Sequence, residues 1–140
     1  MKLNNEKTQE IGKLLLRIGI SLLFIWFGIS QLANPNHWLG FLPAWTNNLP
    51  ITQVTFVYLN GSAEIILALF LIAGLYTRTA AIILALHLLG IALSMSYSPT
   101  MIRDLGLAIA TGAIFLNGPD KYTLDKKLSG SQELYQNTSF

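Results

Sequence analysis

The sequence predicts an all-α fold: an integral membrane, antiparallel four-helix bundle with its N- and C-termini cytoplasmic. Three observations predict it. Hydrophobic residues make up 52% of the 140 residues and charged residues only 11%, whereas a soluble domain carries about a quarter charged residues. A soluble protein this small has too much surface to cover with so few charges. Apolar residues are gathered into four runs, each near the roughly 20 residues that cross about 30 Å of hydrocarbon. The basic residues cluster at the ends of those runs, mostly on one side of the membrane.

The elements follow in order. Residues 1–10 are polar and read as a short cytoplasmic tail. The first span covers about 11–32. Lys2, Lys7 and Lys13 precede its core as in a signal peptide, but Arg17 interrupts it and no A-x-A site follows. It therefore reads as an uncleaved span. The loop 33–51 contains no Lys, Arg, Asp or Glu, and holds Pro35, Pro43, Pro50, Trp38 and Trp45. Proline breaks helices and tryptophan favours the head-group zone. Trp38 and Trp45 are thus expected as interfacial anchors, with a lid over the bundle mouth as the sharper reading. The second span is placed at about 52–75. The short link Tyr76–Thr79 forces the third, about 80–97, to return antiparallel beside it. Ser98-Pro99 marks a turn, the fourth span covers about 101–117, and Gly118-Pro119 ends it. The membrane domain is 11–128, and 129–140 is a polar tail. Asn137-Thr138-Ser139 fits a glycosylation acceptor, yet a cytoplasmic tail never meets that machinery.

With the N-terminus inside, Lys2, Lys7, Lys13, Arg17, Arg78, Lys121, Lys126 and Lys127 fall on the cytoplasmic half, and Arg103 alone falls outside. No two spans look like copies, so an inverted repeat is not supported. Small residues at four-residue spacing (Ala81 and Ala85, Gly106 and Ala110, Ala108 and Gly112) suit ordinary helix packing. The net charge of +2 is too small to suggest nucleic acid as a partner. The chain has no cysteine, which excludes disulfides, CxxC redox chemistry and thiolate metal sites.

Ionisable groups at membrane depth are costly and mark function or a structural clamp. Glu64 lies about 12 residues into the second span, near mid-membrane at roughly 1.5 Å per residue. Asn60 precedes it by one turn on the same face, and Gly61 lets another helix approach. A helix-clamping hydrogen bond is the plain alternative to a ligand- or proton-handling role. His87 lies at similar depth in the third span, where a satisfied core histidine is the commoner case. A metal site needs more ligands than His87 with the distant His37, so none is expected. Asp104 opens the fourth span beside Arg103, where the helix dipole alone favours a carboxylate. Arg17 lies about a turn inside the first span; it either snorkels to the head groups or pairs with an acid or anionic ligand in the bundle. Ser21, Gly28 and Gln31 follow near its face. Every span thus offers a polar or small stripe, and together they could line a narrow interior cavity.

Three stretches carry a resemblance: LLRIGISLLFIWFGISQL, NGSAEIILALFLIAGLYTRTAA and RDLGLAIATGAIFLNGPDKYTLDKKL. They resemble the DoxX family of small four-span membrane proteins over roughly residues 11–128. The family's G-x-x-E falls on Gly61 and Glu64. Its G-L-x-T-R falls on Gly74, Leu75, Thr77 and Arg78. Its aspartate opening span four falls on Asp104. Its closing element falls on Gly118, Pro119, Thr123, Leu124 and Asp125. Ser30-Gln31 stand where the family often has a lysine, and Asp120 stands where a second glycine usually follows the proline.

The resemblance implies a multi-pass protein of the bacterial inner (plasma) membrane. It implies a membrane subunit of an oxidoreductase assembly, whether quinone-interacting or non-catalytic. A quinone is the cofactor this brings with it, and a redox protein the partner. A protonated Glu64, or His87, could donate to a quinone carbonyl. Two other classes fit the residues equally well. One is a small proton-coupled transporter acting as a homo-oligomer, for which one mid-membrane glutamate suffices. The other is a scaffold holding a soluble partner at the bilayer, in which the buried polar groups only lock the bundle.

Overall fold

The computed structural model describes the backbone of residues 2–137 and the side chains of residues 5–130. Its long helices are α1 (Lys2–Ala33), α3 (Gln53–Ala73), α4 (Thr77–Ser94) and α5 (Pro99–Asn117), with a short α2 (Pro35–Trp38) after the first and α6 (Leu124–Asn137) after the last. No strand occurs among the described residues. The four long helices are all long and apolar enough to cross a membrane, and they run up and down as an antiparallel bundle. Leu22, Trp26, Ile66, Leu86, Ile109 and Leu116 point outward, each more than half exposed. Outward apolar side chains on every long helix suit lipid as the surrounding solvent.

Several boundaries differ from those expected. Residues 2–10 continue α1; with Glu6, Lys7 and Glu10 among good helix formers, nothing stops the helix where the apolar run begins. At 32 residues and roughly 1.5 Å of rise each, α1 is longer than the hydrocarbon is thick. The loop 33–51 is not irregular throughout. It holds α2 and two 3₁₀ turns, Leu39–Phe41 and Ala44–Asn48, with prolines at the breaks. Helix α4 starts and ends about three residues earlier than expected. Of the Asn137-Thr138-Ser139 tripeptide, Thr138 and Ser139 lie outside the described residues.

Local signals explain most ends. The Thr52 hydroxyl accepts from Thr55 N–H at 3.1 Å to start α3, and Ser98 accepts from Met101 N–H at 3.2 Å to start α5, each as an N-cap. Pro99 occupies the first turn of α5, where its missing N–H costs nothing. Helix α3 ends at Gly74, φ 67°, where Leu75 N–H donates to Phe70 C=O and Gly74 N–H to Leu71 C=O, a Schellman closure. Tyr76 then sits at φ 49°, left-handed for a bulky residue. It opens α4 without a cap of its own. The cap comes from the other end of the sequence: the Asp125 carboxylate accepts from Tyr76 N–H and Thr77 N–H, both at 2.8 Å. In return Asp125 N–H donates to Gly74 C=O at 2.9 Å. Thr123 lies so close to Gly74 that a Cβ there would stand 2.6 Å from the Thr123 Cα. The segment after α5 is thereby fastened to the α3–α4 turn.

Packing divides the bundle into two tight pairs, α1 with α3 and α4 with α5, which meet each other more sparingly. Phe24, Ala68, Leu71, Ala81 and Leu84 are fully buried between them. The α1–α3 pair closes at two glycines. A Cβ on Gly28 would stand 2.6 Å from the Gly61 carbonyl oxygen, and one on Gly61 would stand 2.9 Å from that of Gly28. Only small residues permit such backbone approach. Of the small residues expected to pack, Ala81, Ala85 and Ala108 are buried, but Gly106 and Gly112 have open space around them.

Candidate functional site

At the Trp38 end the two pairs separate and leave a cavity of about 220 Å³. Helix α1 supplies Trp26, Phe27, Ser30 and Gln31; α3 supplies Asn60 and Glu64; α4 supplies His87; α5 supplies Arg103 and Asp104. The loop with Trp38 and Phe41 folds over this mouth. Trp38 is held inward by its indole N–H, which donates to Ser30 Oγ at 3.3 Å, and by edge contact with Phe27. It lines the cavity, whereas Trp45 remains 53% exposed against the Phe56 ring.

The floor is a hydrogen-bond network centred on Glu64, which is 4% exposed. Gln31 Nε2 donates to Glu64 Oε2 at 2.9 Å. Asn60 Nδ2 donates to Glu64 Oε1 at 3.0 Å and to Gln31 Oε1 at 2.9 Å. His87 Nε2 lies 3.3 Å from Glu64 Oε1, within ion-pair range if the ring is protonated. The Gly28–Gly61 approach makes the network possible, since Gln31 follows Gly28 by three residues and Asn60 and Glu64 flank Gly61 on one face of α3. Two amide donors and the His87 ring nitrogen meet the two carboxyl oxygens, which satisfies a buried acid.

Nearer the mouth, Arg103 Nε donates to Asp104 Oδ1 at 2.8 Å, and its guanidinium lies 5.3 Å from the centre of the Phe27 ring. The Arg103 side chain is half exposed. The arginine therefore bridges α5 to α1 by a cation–π contact and lines the cavity. No group of three His, Cys, Asp or Glu able to hold a metal occurs among the described residues.

Of the residues singled out in the sequence, Glu64, Asn60, His87 and Asp104 come together around this one cavity. Arg17 does not join them. It lies at the opposite end, 3% exposed, with Nε 2.7 Å from Asp120 Oδ2 and Nη2 3.4 Å from Oδ1. Its Nη1 donates to the carbonyls of Leu71 and Ile72, the last turn of α3, where orphan carbonyls attract a cation. Of the two readings of Arg17, pairing with an acid is the one found. Gln31 and Arg103 are cavity residues that sequence reasoning undervalued. Gln31 stood out as a departure from a family pattern and as part of the polar stripe after Arg17, and Arg103 as the one outer charge beside Asp104. A polar side chain so near the end of an apolar span was the available signal for Gln31.

The arrangement can seat a flat apolar body between aromatic rings while offering donors to its oxygen atoms. Glu64 holds His87 through Nε2, which leaves Nδ1 for a ligand or a proton. No curated protein and no solved structure matches the chain. The protein-family model described as DoxX matches residues 12–96. That match covers the first three spans with Gly61, Glu64, Arg78 and His87, well over half of the chain, and this multi-pass membrane protein therefore belongs to the DoxX family.

Proposed function

We propose that the chain is the integral membrane subunit of a redox-associated assembly and that its cavity receives a quinone head group. The observation that carries this reading is the pairing of an aromatic wall with a polar floor inside one cavity. Its volume, about 220 Å³, is below the usual range for whole drug-sized ligands, so it suits a head group whose tail stays in the bilayer. When bound, a quinone supplies two-electron chemistry in which its oxygens take up protons; the electrons come from a redox protein docked on the subunit. The chain's own residues bind and orient. His87 faces the ligand with Glu64 behind it, an acid–base pair that can hand over and recover a proton at Nδ1. Gln31 and Asn60 fix the Glu64 carboxyl group. Arg103 provides positive charge at the mouth, and the Trp38 loop excludes water.

Extraction of lipids from protein purified in mild detergent tests this. The wild-type chain is expected to retain quinone, and Glu64→Gln, which replaces one of the network's two acceptor oxygens with a donor group, to retain about tenfold less, the loss of one buried hydrogen bond. Wild-type protein that carries neither quinone nor a redox protein would overturn the proposal. A soluble protein recovered without quinone would select the scaffold reading instead, which the fastening of the tail by Asp120 and Asp125 favours.

The membrane proposed is the bacterial plasma membrane, with the Arg17 end cytoplasmic. The concentration of Lys and Arg at that end supports it. Because the chain has no cysteine, single reporters are clean. Ser129→Cys is expected to react with an impermeant maleimide only after the cells are opened, and Asn48→Cys in intact cells; the reverse pattern would invert the topology.

A further inference from the structure

We propose that the groove between the α3–α4 turn and α6 seats the head group of an anionic phospholipid, with Arg78 as its counter-charge. The groove is open, about 600 Å³, and its lining includes Tyr76, Thr77, Arg78, Asp125, Leu128 and Ser129. Its depth follows from its position. The turn joins two spans, so it lies where hydrocarbon gives way to head groups. Tyr76, 68% exposed, is the kind of residue that settles there.

Arg78 differs from the other two arginines. Arg17 and Arg103 each pair with an aspartate. Arg78 is exposed and has no ion-pair partner among the described residues. Its guanidinium lies beside Gly118, where a Cβ would stand 2.8 Å from Nη2 and 2.9 Å from Nε. An exposed guanidinium with no carboxylate partner among the described residues suits a phosphate. Asp125 is turned to the helix start instead, its two oxygens accepting from Tyr76 and Thr77 N–H at 2.8 Å, and it forms no ion pair with Arg78 among the described residues. Thr77 carries the one buried side-chain polar atom without a hydrogen-bond partner among the described residues, its hydroxyl oxygen. Thr77 itself lines the groove, so this hydroxyl is a donor that a side-chain rotation can turn toward an oxygen seated there.

The remaining features choose a lipid over a free anion. Leu124 and Leu128 lie four residues apart on one face of α6 and are 42% and 57% exposed. That apolar face continues the lipid-facing surface of the spans onto the head-group layer, as in interfacial helices. Lys121 and Lys126 are exposed on the same segment and add attraction for an anionic leaflet. A free phosphate would use the arginine but leave the leucines bare.

Native mass spectrometry of the full chain tests the proposal, with phosphatidylglycerol or phosphatidylcholine added to the detergent. Phosphatidylglycerol is expected to be retained about tenfold more than phosphatidylcholine, as for one charge-assisted contact, and the preference to vanish in Arg78→Gln. Leu128→Glu, at an exposed site outside the packed core, is expected to abolish it as well. Excess inorganic phosphate should not displace the lipid. Equal retention of the two lipids by the wild-type chain would overturn the proposal. So would a preference that survives both substitutions, or complete displacement by phosphate, which would mark a site for a free anion.

Discussion

Asp120→Ala is expected to destabilise the protein by about 3–5 kcal/mol, the cost of leaving one member of a buried ion pair without its partner. Asp120 is 1% exposed and Arg17 3%, so no solvent reaches the arginine to compensate. The two carbonyls of α3 that Arg17 also contacts keep part of its hydrogen bonding but cannot neutralise it. Asp120→Asn preserves an acceptor oxygen and is expected to cost less. The Asp120 carboxylate also accepts from Tyr122 N–H at 2.9 Å, so the alanine loosens the turn leading to α6. Thermal unfolding in detergent measures the effect, with Arg17→Met in the Asp120→Ala background as the decisive comparison. Removing both charges should recover much of the loss. A double variant as unstable as Asp120→Ala alone would show that the turn, not the unpaired cation, sets the cost.

Gly28→Ala is expected to be the second large effect, and it reaches the cavity. The added Cβ would stand 2.5 Å from Ile65 Cγ1 and 2.6 Å from the Gly61 carbonyl oxygen. The side chain can move aside, but the carbonyl belongs to the backbone of α3, so the helices must part. Overpacking of this kind costs about 1–3 kcal/mol, of which up to about 1 kcal/mol is offset by the better helix propensity of alanine. The bonds from Gln31 to Glu64 and Asn60, both 2.9 Å, span this same crossing. A separation of about 1 Å takes them beyond hydrogen-bond range, so retained ligand should fall at least as far as in Glu64→Gln. Gly106→Ala is the control. A Cβ there meets nothing within 4 Å, and the variant should be neutral or slightly more stable. If Gly28→Ala behaved like Gly106→Ala in both stability and ligand retention, the glycine crossing would not be what positions the site.

The spans were legible because lipid imposes length and apolarity on each of them, and Ser98-Pro99 and Gly118 mark ends by local chemistry. Glu64 and Asn60 were legible as a unit, since four residues apart on a helix means one face. His87 could be matched to Glu64 in depth because α3 and α4 are joined by a tight turn. The partners that come from afar were not legible. Arg17 meets Asp120 across 103 residues of sequence, and nothing local in either segment names the other. Gln31 joins Glu64 only because two glycines set how closely α1 and α3 cross, a distance that periodicity does not encode. Tyr76 adopts a left-handed conformation that its residue type disfavours, and the carboxylate that accepts its N–H is Asp125, 49 residues further along the chain.

The segment after α5 also orders events in time. During synthesis Arg17 leaves the ribosome long before Asp120 is made, and α4 emerges ahead of the Asp125 that completes its first turn. Four spans can therefore be threaded while the bundle still lacks its fastening. A nascent chain cut short after Asn117 would hold every transmembrane helix and yet keep the Arg17 cation buried without its carboxylate.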